Sequence, residues 1–262
     1  MIPARRSPAM LAFFDRYVAR YLRRRFHRVR LWPTPDALGP SKGPRIFAMN
    51  HASWWDVLVG YALARRVIGA ESYAPMDEAQ LARYRILSRL GVYSVNRGSV
   101  AGIREFLRYS TERLREGAAL WITPQGEITP HWRRPVRFQP GLGRLVTHVP
   151  GVPVVPVAVA YEFMDEPRPE ILVKLGPARV FAPGDAPERV TRTLEQALEH
   201  ELDALCEAIL TRDFTPFVTL IEGRTSMSVV YDRVRALRAW FTGRPDPRRH
   251  GDVVSDPRRL AR

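Results

Sequence analysis

The chain lacks the residues from which covalent or metal-held frameworks are built. Of its 262 residues only Cys206 is a cysteine. No internal disulfide framework is possible, and a reducing cytoplasm suits such a composition. With no second cysteine and no close histidine pair, zinc-site spacing is missing and no metal is expected. No run of 18 apolar residues occurs, so nothing obvious spans a bilayer. The N-terminus carries Arg5 and Arg6, but its apolar residues are soon broken by Asp15, Arg16 and Arg20, which is no signal-peptide core. A G-x-S-x-G nucleophile elbow is also absent. Lysine nearly is, occurring only at 42 and 174.

Arginine takes its place, and unevenly. The formal net charge is +14, yet residues 1–32 hold nine Arg and one Asp, and residues 233–262 hold nine Arg and three Asp. The roughly 200 residues between them carry 23 basic and 23 acidic groups and are neutral. Basic ends suit an anionic membrane surface or nucleic acid. No nucleic-acid-binding motif accompanies them, and the neutral centre argues against such a partner. A hydrophobic content of 45% is ample for a sizeable core.

The segment 7–32 opens with Ser7-Pro8, a cap and first-turn pair. Its apolar residues Met10, Phe14, Tyr17, Tyr21, Phe26 and Val29 roughly follow helical spacing, with arginine between. A basic amphipathic helix of this kind can lie in a membrane interface or pack on its own domain. After a Pro/Gly-rich linker (33–44), strands are predicted at Ile46–Met49, Glu71–Ala74, Val92–Val95, Ala118–Thr123, Val154–Ala160 and Ile171–Leu175. Helices are predicted at Ser53–Arg65, Glu78–Leu90, Val100–Glu116, Leu142–His148 and Pro187–Arg212. Strands alternating with helices imply an α/β fold, a mostly parallel central sheet flanked by helices, with the N-terminal amphipathic helix outside it. The expected organisation is 1–43 helix and linker, 44–214 main domain, and 215–262 extension. Within that extension Ser226–Thr242 reads as one more amphipathic helix and 243–262 as a disordered basic tail.

Chemistry concentrates in MNHASWWD (49–56). In one regular helix His51 and Asp56 would point about 140° apart. If Ile46–Met49 is a strand and Ser53 caps the next helix, His51 lies in the turn and Asp56 at the third helical position. A side chain in that turn can fold back onto such a carboxylate. The carboxylate then fixes the imidazole tautomer, and the other ring nitrogen can accept a proton. Capping alone explains the same residues equally well. Trp54 and Trp55 read as core or as the lining of an apolar groove. Three further stretches stand at strand ends. GVYSVNRGS (91–99) places Arg97 on a rim where α/β folds bind anions. LWITPQGEITPHWRRP (120–135) opens at Pro124 into a polar loop with Gln125, Gly126, Glu127, Arg133 and Arg134. GVPVVPVAV (151–159) carries two prolines, which belong at a sheet edge or a strand start.

In this order the four blocks resemble those of the glycerolipid acyltransferase superfamily, the PlsC-like 1-acylglycerol-3-phosphate acyltransferases. Its N-H-x-S-x-x-D block is matched by Asn50, His51, Ser53 and Asp56, its glycine-to-arginine block by Gly91 and Arg97, and its V-P-[IV]-[IV]-P block by Val152 through Pro156. Of its F-P-E-G-T-R-S block only Pro124 and Gly126 are matched, since Gln125-Gly126-Glu127-Ile128 stands where the family has Glu-Gly-Thr-Arg.

The resemblance implies that His51 is the general base on an acceptor hydroxyl and Asp56 orients it. Acyl transfer then runs from acyl-CoA or acyl-carrier protein without an acyl-enzyme. Asn50, Ser53, Arg97, Gln125, Gly126, Glu127, Arg133 and Arg134 are the implied substrate-binding residues, with no cofactor or metal. The expected acceptor is a lysophospholipid such as 1-acylglycerol-3-phosphate, or another lipid alcohol such as a glycolipid or glycosylated pigment. A non-catalytic lipid-binding member is the alternative. A peripheral position on the cytoplasmic side of an anionic membrane is expected.

Overall fold

The computed structural model describes residues 1–33 and 43–223. The anticipated helix Ser226–Thr242 and the basic tail, like most of the linker, lie outside the described residues. Helix α1 (Pro8–Arg25) begins where Ser7 accepts a hydrogen bond from the Met10 N–H through its hydroxyl, with Pro8 in the first turn. It stops at Arg25, seven residues short of the expected end. Beyond it the chain forms strand β1 (Arg28–Trp32), in which Val29 and Leu31 are buried and the alternating Arg28 and Arg30 are only partly so. This alternation of period two overrides the loose helical spacing that joined Val29 to the helix.

The chain continues through β2 (Arg45–Met49), α2 (Asp56–Leu63), β3 (Ser72–Asp77), α3 (Glu78–Arg83), β4 (Val92–Val95), α4 (Val100–Arg115), β5 (Ala119–Ile122), α5 (Gly141–His148), β6 (Val154–Glu162), β7 (Glu170–Leu175), α6 (Pro187–Thr211) and β8 (Val218–Glu222). The predicted helix Glu78–Leu90 breaks at Tyr84 and resumes as a 3₁₀ segment, Arg85–Leu90. The strands form one sheet in the order β4-β3-β5-β2-β6-β7-β1-β8. From β4 to β6 all neighbours are parallel; β6–β7 and β1–β8 are antiparallel, and β7–β1 is parallel again. β1, expected in an N-terminal appendage, and β8, expected in a C-terminal extension, pair with each other. The sheet therefore crosses the anticipated boundaries at 43/44 and 214/215.

Strand alternation sorts the core into two layers. Phe47, Met49, Val155, Val157 and Val159 point to one face and pack with Val18 and Leu22 of α1 and Leu58 and Leu63 of α2. Ile46, Ala48 and Val154 point to the other, against Phe106 of α4, Leu145 of α5 and Leu194 of α6. Burial on both faces explains why these strands read as continuous apolar runs.

β6 is a central strand despite Pro156, where an edge or a strand start was expected. Pro156 aligns with Ala48 of β2 on one side, while β7 pairing starts only at Val157↔Leu175. The Pro156 carbonyl accepts from the Gly176 N–H at 2.9 Å. In a strand, N and C=O of one residue point the same way, so the missing donor faces Gly176, one residue past the end of β7, where the Gly176 N–H supplies the remaining bond.

Candidate active site

Because β4, β3, β5, β2 and β6 run parallel, the turns leaving them gather on one edge of the sheet, where open α/β folds place their sites. The turn after β2 carries His51, the loop after β4 carries Arg97, the loop after β5 carries Gln125, and β6 ends at Tyr161 and Glu162. His51 does fold back: its Nδ1 lies 2.8 Å from Asp56 Oδ2. Ser53 donates its backbone N–H to the same Oδ2 at 2.8 Å, the reciprocal half of a capping box. The regular helix starts at Asp56 rather than Ser53, with Trp55 in the capping position and no side-chain cap bond. Capping and dyad are thus one arrangement, in which the carboxylate serves both the helix start and the imidazole.

Asp56 is 0% exposed, and a carboxylate in that position needs its lone pairs filled. A third donor, unforeseen from sequence, supplies this: Tyr161 gives its hydroxyl hydrogen to Asp56 Oδ1 at 2.5 Å. Burial pushes the Tyr161 phenol well above its ordinary range, and the charge of Asp56 adds to this. Tyr161 therefore stays a donor at any ordinary pH. With three donors on the carboxylate, the His51 proton sits on Nδ1 and the Nε2 lone pair is left for a substrate. The His51 side chain is 21% exposed, so the ring is reachable. Among the described residues, no serine or cysteine hydroxyl or thiol is hydrogen-bonded to His51. The only sequence signal for Tyr161 was its parity with Val157 and Val159 on β6, and parity does not name a partner across the sheet.

The other expected site residues divide in two. Asn50, buried at the end of β2, donates Nδ2–H to the Val159 carbonyl at 2.9 Å and accepts the Val159 N–H at 2.7 Å. Its side-chain amide extends the β2–β6 ladder one step past the strand, so it staples the sheet and does not face a substrate. Gln125 is buried and its Oε1 accepts the His51 backbone N–H at 2.7 Å, while the Thr129 N–H donates to the His51 carbonyl at 2.7 Å. The loop after β5 therefore grips the His51 turn on both sides. Arg97 donates to the Gly126 carbonyl at 3.0 Å and lies 3.9 Å from Asp77. Gly126 has φ +76°, which favours glycine, and a Cβ there would stand 2.8 Å from the Arg97 guanidinium and displace it. Glu127 and Arg133 are exposed. Arg134 is not brought to the dyad: it donates to Asp203 of α6 at 2.9 Å and to the His131 carbonyl at 2.8 Å. Of the tryptophans, Trp54 is exposed and stacks on Trp55, which packs edge-on against Phe26.

A partly exposed imidazole backed by a buried, fully bonded carboxylate, at the carboxyl edge of an α/β sheet, is the arrangement of a general base. The sequence model of the acyltransferase family matches residues 24–160, more than half of the chain, and the chain belongs to that family. The protein is an acyltransferase. Among solved structures its fold is similar to that of the 1-acyl-sn-glycerophosphate (LPA) acyltransferase PlsC from Thermotoga maritima. The TM-score is 0.54 at 17% identity, over 74% of this chain and 79% of that one. No curated protein sequence matches the chain.

Proposed function

We propose that the protein moves a fatty acyl group from acyl-CoA or an acyl-carrier protein to the free hydroxyl of a lysophospholipid such as 1-acylglycerol-3-phosphate. The observation that carries this reading is the His51–Asp56 contact, with Asp56 held by Ser53 and Tyr161. His51 Nε2 takes the proton of the acceptor hydroxyl as its oxygen attacks the thioester carbonyl. The C–S bond then breaks, an ester is formed, and the departing thiolate takes the proton back from His51. Asp56 stabilises the imidazolium between the two transfers. Arg97, exposed beside Gly126, is the cation placed for an acceptor phosphate.

The reaction is placed at an anionic membrane surface on the cytoplasmic side. α1 supports this: its Leu11, Val18 and Leu22 are buried in the protein, while Phe13 (64% exposed), Arg16, Tyr17, Arg20 and Arg24 share the outer stripe. Aromatics flanked by guanidinium groups suit the headgroup layer. The helix therefore serves its own core with one face and can serve a membrane with the other. Among the described residues no helix is long and apolar enough to cross a membrane.

Purified protein on vesicles containing anionic lipid is incubated with labelled acyl donors and a panel of lysolipids and lipid alcohols. We expect acylation of 1-acylglycerol-3-phosphate and co-flotation with the vesicles. His51→Ala should lower turnover by about 10²–10⁴-fold with the fold intact. Undiminished turnover in that variant would sink the mechanism.

A further inference from the structure

α4 and α5 pack side by side on the sheet face opposite α1, and a basic groove runs between their outer surfaces. Two adjoining depressions of ≈ 400 and ≈ 320 Å³ open along it. Arg104, Arg108 and Arg115 of α4 and Arg144 and His148 of α5 line them, and Arg97 stands at the end nearest the dyad. The connection to the chemistry is short. Arg97 bonds the carbonyl of Gly126, whose neighbour Gln125 bonds the backbone of His51. Residues 104, 108 and 115 recur at helical spacing on one face, and the rise per residue puts the first and last about 16 Å apart along the axis.

The positive charge here is a local surplus. The carboxylates of α4 are already engaged: Glu105 with the Met1 amino group at 3.2 Å, Glu112 with Arg108 at 2.6 Å, and Glu116 with Arg113 at 2.7 Å. Among the described residues, Arg104, Arg115 and Arg144 have no carboxylate partner. They stand exposed in a stretch of chain whose overall charge is balanced. Between the arginines, Val100 (71% exposed), Ile103 and Leu107 give the groove an apolar floor.

We propose that this groove docks an acidic amphipathic helix of an acyl-carrier protein, whose thioester then reaches His51 past Arg97. The proposal rests on the acyl-transfer reading above. Carboxylates recur every three or four residues along one face of such a helix, opposite the unpartnered Arg104, Arg115 and Arg144, and guanidinium forks hold carboxylates in paired bonds. Helix-in-groove docking also needs apolar anchors, which Val100 and Leu107 meet. Free CoA fits less well. Neither depression is lined by Phe, Tyr or Trp on which an adenine could stack.

The test compares wild type with the double variant Arg104→Glu/Arg144→Glu, both full length. Binding of a holo acyl-carrier protein is measured by calorimetry at low and physiological salt, and initial rates are taken with palmitoyl-carrier protein and palmitoyl-CoA. Reversing two rim charges should raise the Kd for the carrier at least about tenfold and flatten its salt dependence. KM for palmitoyl-carrier protein should rise in step, with kcat and the KM for palmitoyl-CoA unchanged. Equal carrier binding by both proteins, or no binding by wild type, overturns the proposal. So does an equal loss with palmitoyl-CoA, which assigns the groove to CoA phosphates. If the carrier binds wild type but not the variant while neither donor is turned over, docking stands and the acyl-transfer reading fails. Should the double reversal misfold, Arg104→Gln/Arg144→Gln gives the same comparison with a smaller loss.

Discussion

Changing Tyr161 to Phe removes one oxygen atom and isolates what holds the dyad in place. The lost bond is a hydroxyl donated to a buried carboxylate at 2.5 Å, a charge-assisted contact of about 1.5–3 kcal/mol. Asp56 Oδ2 keeps Ser53 and His51, but no other donor reaches Oδ1 among the described hydrogen bonds. Unfolding free energy should therefore fall by about 1.5–3 kcal/mol, read from denaturant midpoints at unchanged m-value. A purely structural tyrosine would do only this. As a positioning residue, Tyr161 should have a second effect. Without its hydrogen bond the carboxylate is a stronger partner for a charged imidazole. The acid limb of the pH profile of kcat/KM should then move to higher pH by up to about one unit, the equivalent of ~1.4 kcal/mol. Above that limb kcat should drop about tenfold, roughly half of the lost bond appearing in the barrier. A destabilised variant with an unmoved pH profile would refute the coupling of Tyr161 to the base. An unchanged stability would refute the bond itself.

Substitutions at two further positions separate holding from reacting. Asn50→Ala should lower stability by about 2–4 kcal/mol by orphaning both the N–H and the carbonyl of Val159, with KM for the acceptor unchanged. A raised acceptor KM at full stability would return Asn50 to substrate binding. Gln125→Glu should keep turnover within about threefold, because a carboxylate oxygen accepts the His51 N–H as an amide oxygen does. Gln125→Leu leaves that N–H unpaired at a cost of about 1–3 kcal/mol and should lower kcat about tenfold. A Leu variant as active and stable as wild type would contradict the clamp.

The parallel half of the sheet was readable because both faces of its strands are buried. Ile46–Met49, Val92–Val95 and Val154–Ala160 are apolar runs bounded by turn residues, and each became a strand with at most small changes at its ends. The antiparallel margin was not. β1 has two buried residues in five, of which Val29 also fits the spacing of the helix before it, and its strand character is fixed by pairing with β7, about 140 residues on. β8 has a single buried residue, Ile221, set against Val29 across the sheet. Such sparsely buried strands owe their conformation to partners that local sequence cannot name. Pro156 misled for the same reason: whether a missing N–H matters depends on where the neighbouring strand ends.

The dyad was legible because both members sit in one turn, six residues from end to end, where geometry follows from local chain path. Its supports were not, because Tyr161 on β6 and Gln125 in the loop after β5 arrive from 105 and 74 residues away. The substitution that made the third block look deviant also changes meaning once Gln125 is placed. A backbone N–H requires an acceptor and no charge, so an amide oxygen can fill the role that the family's glutamate would fill. Gln125 is thus no argument against lysophosphatidate under the proposed function. The absent arginine still counts, because Arg134 is committed to Asp203. Under the proposed function, recognition of an acceptor phosphate then falls to Arg97. A phosphorylated and a neutral acceptor should consequently differ far less in KM after Arg97→Ala than before it, whichever of the two the wild type prefers.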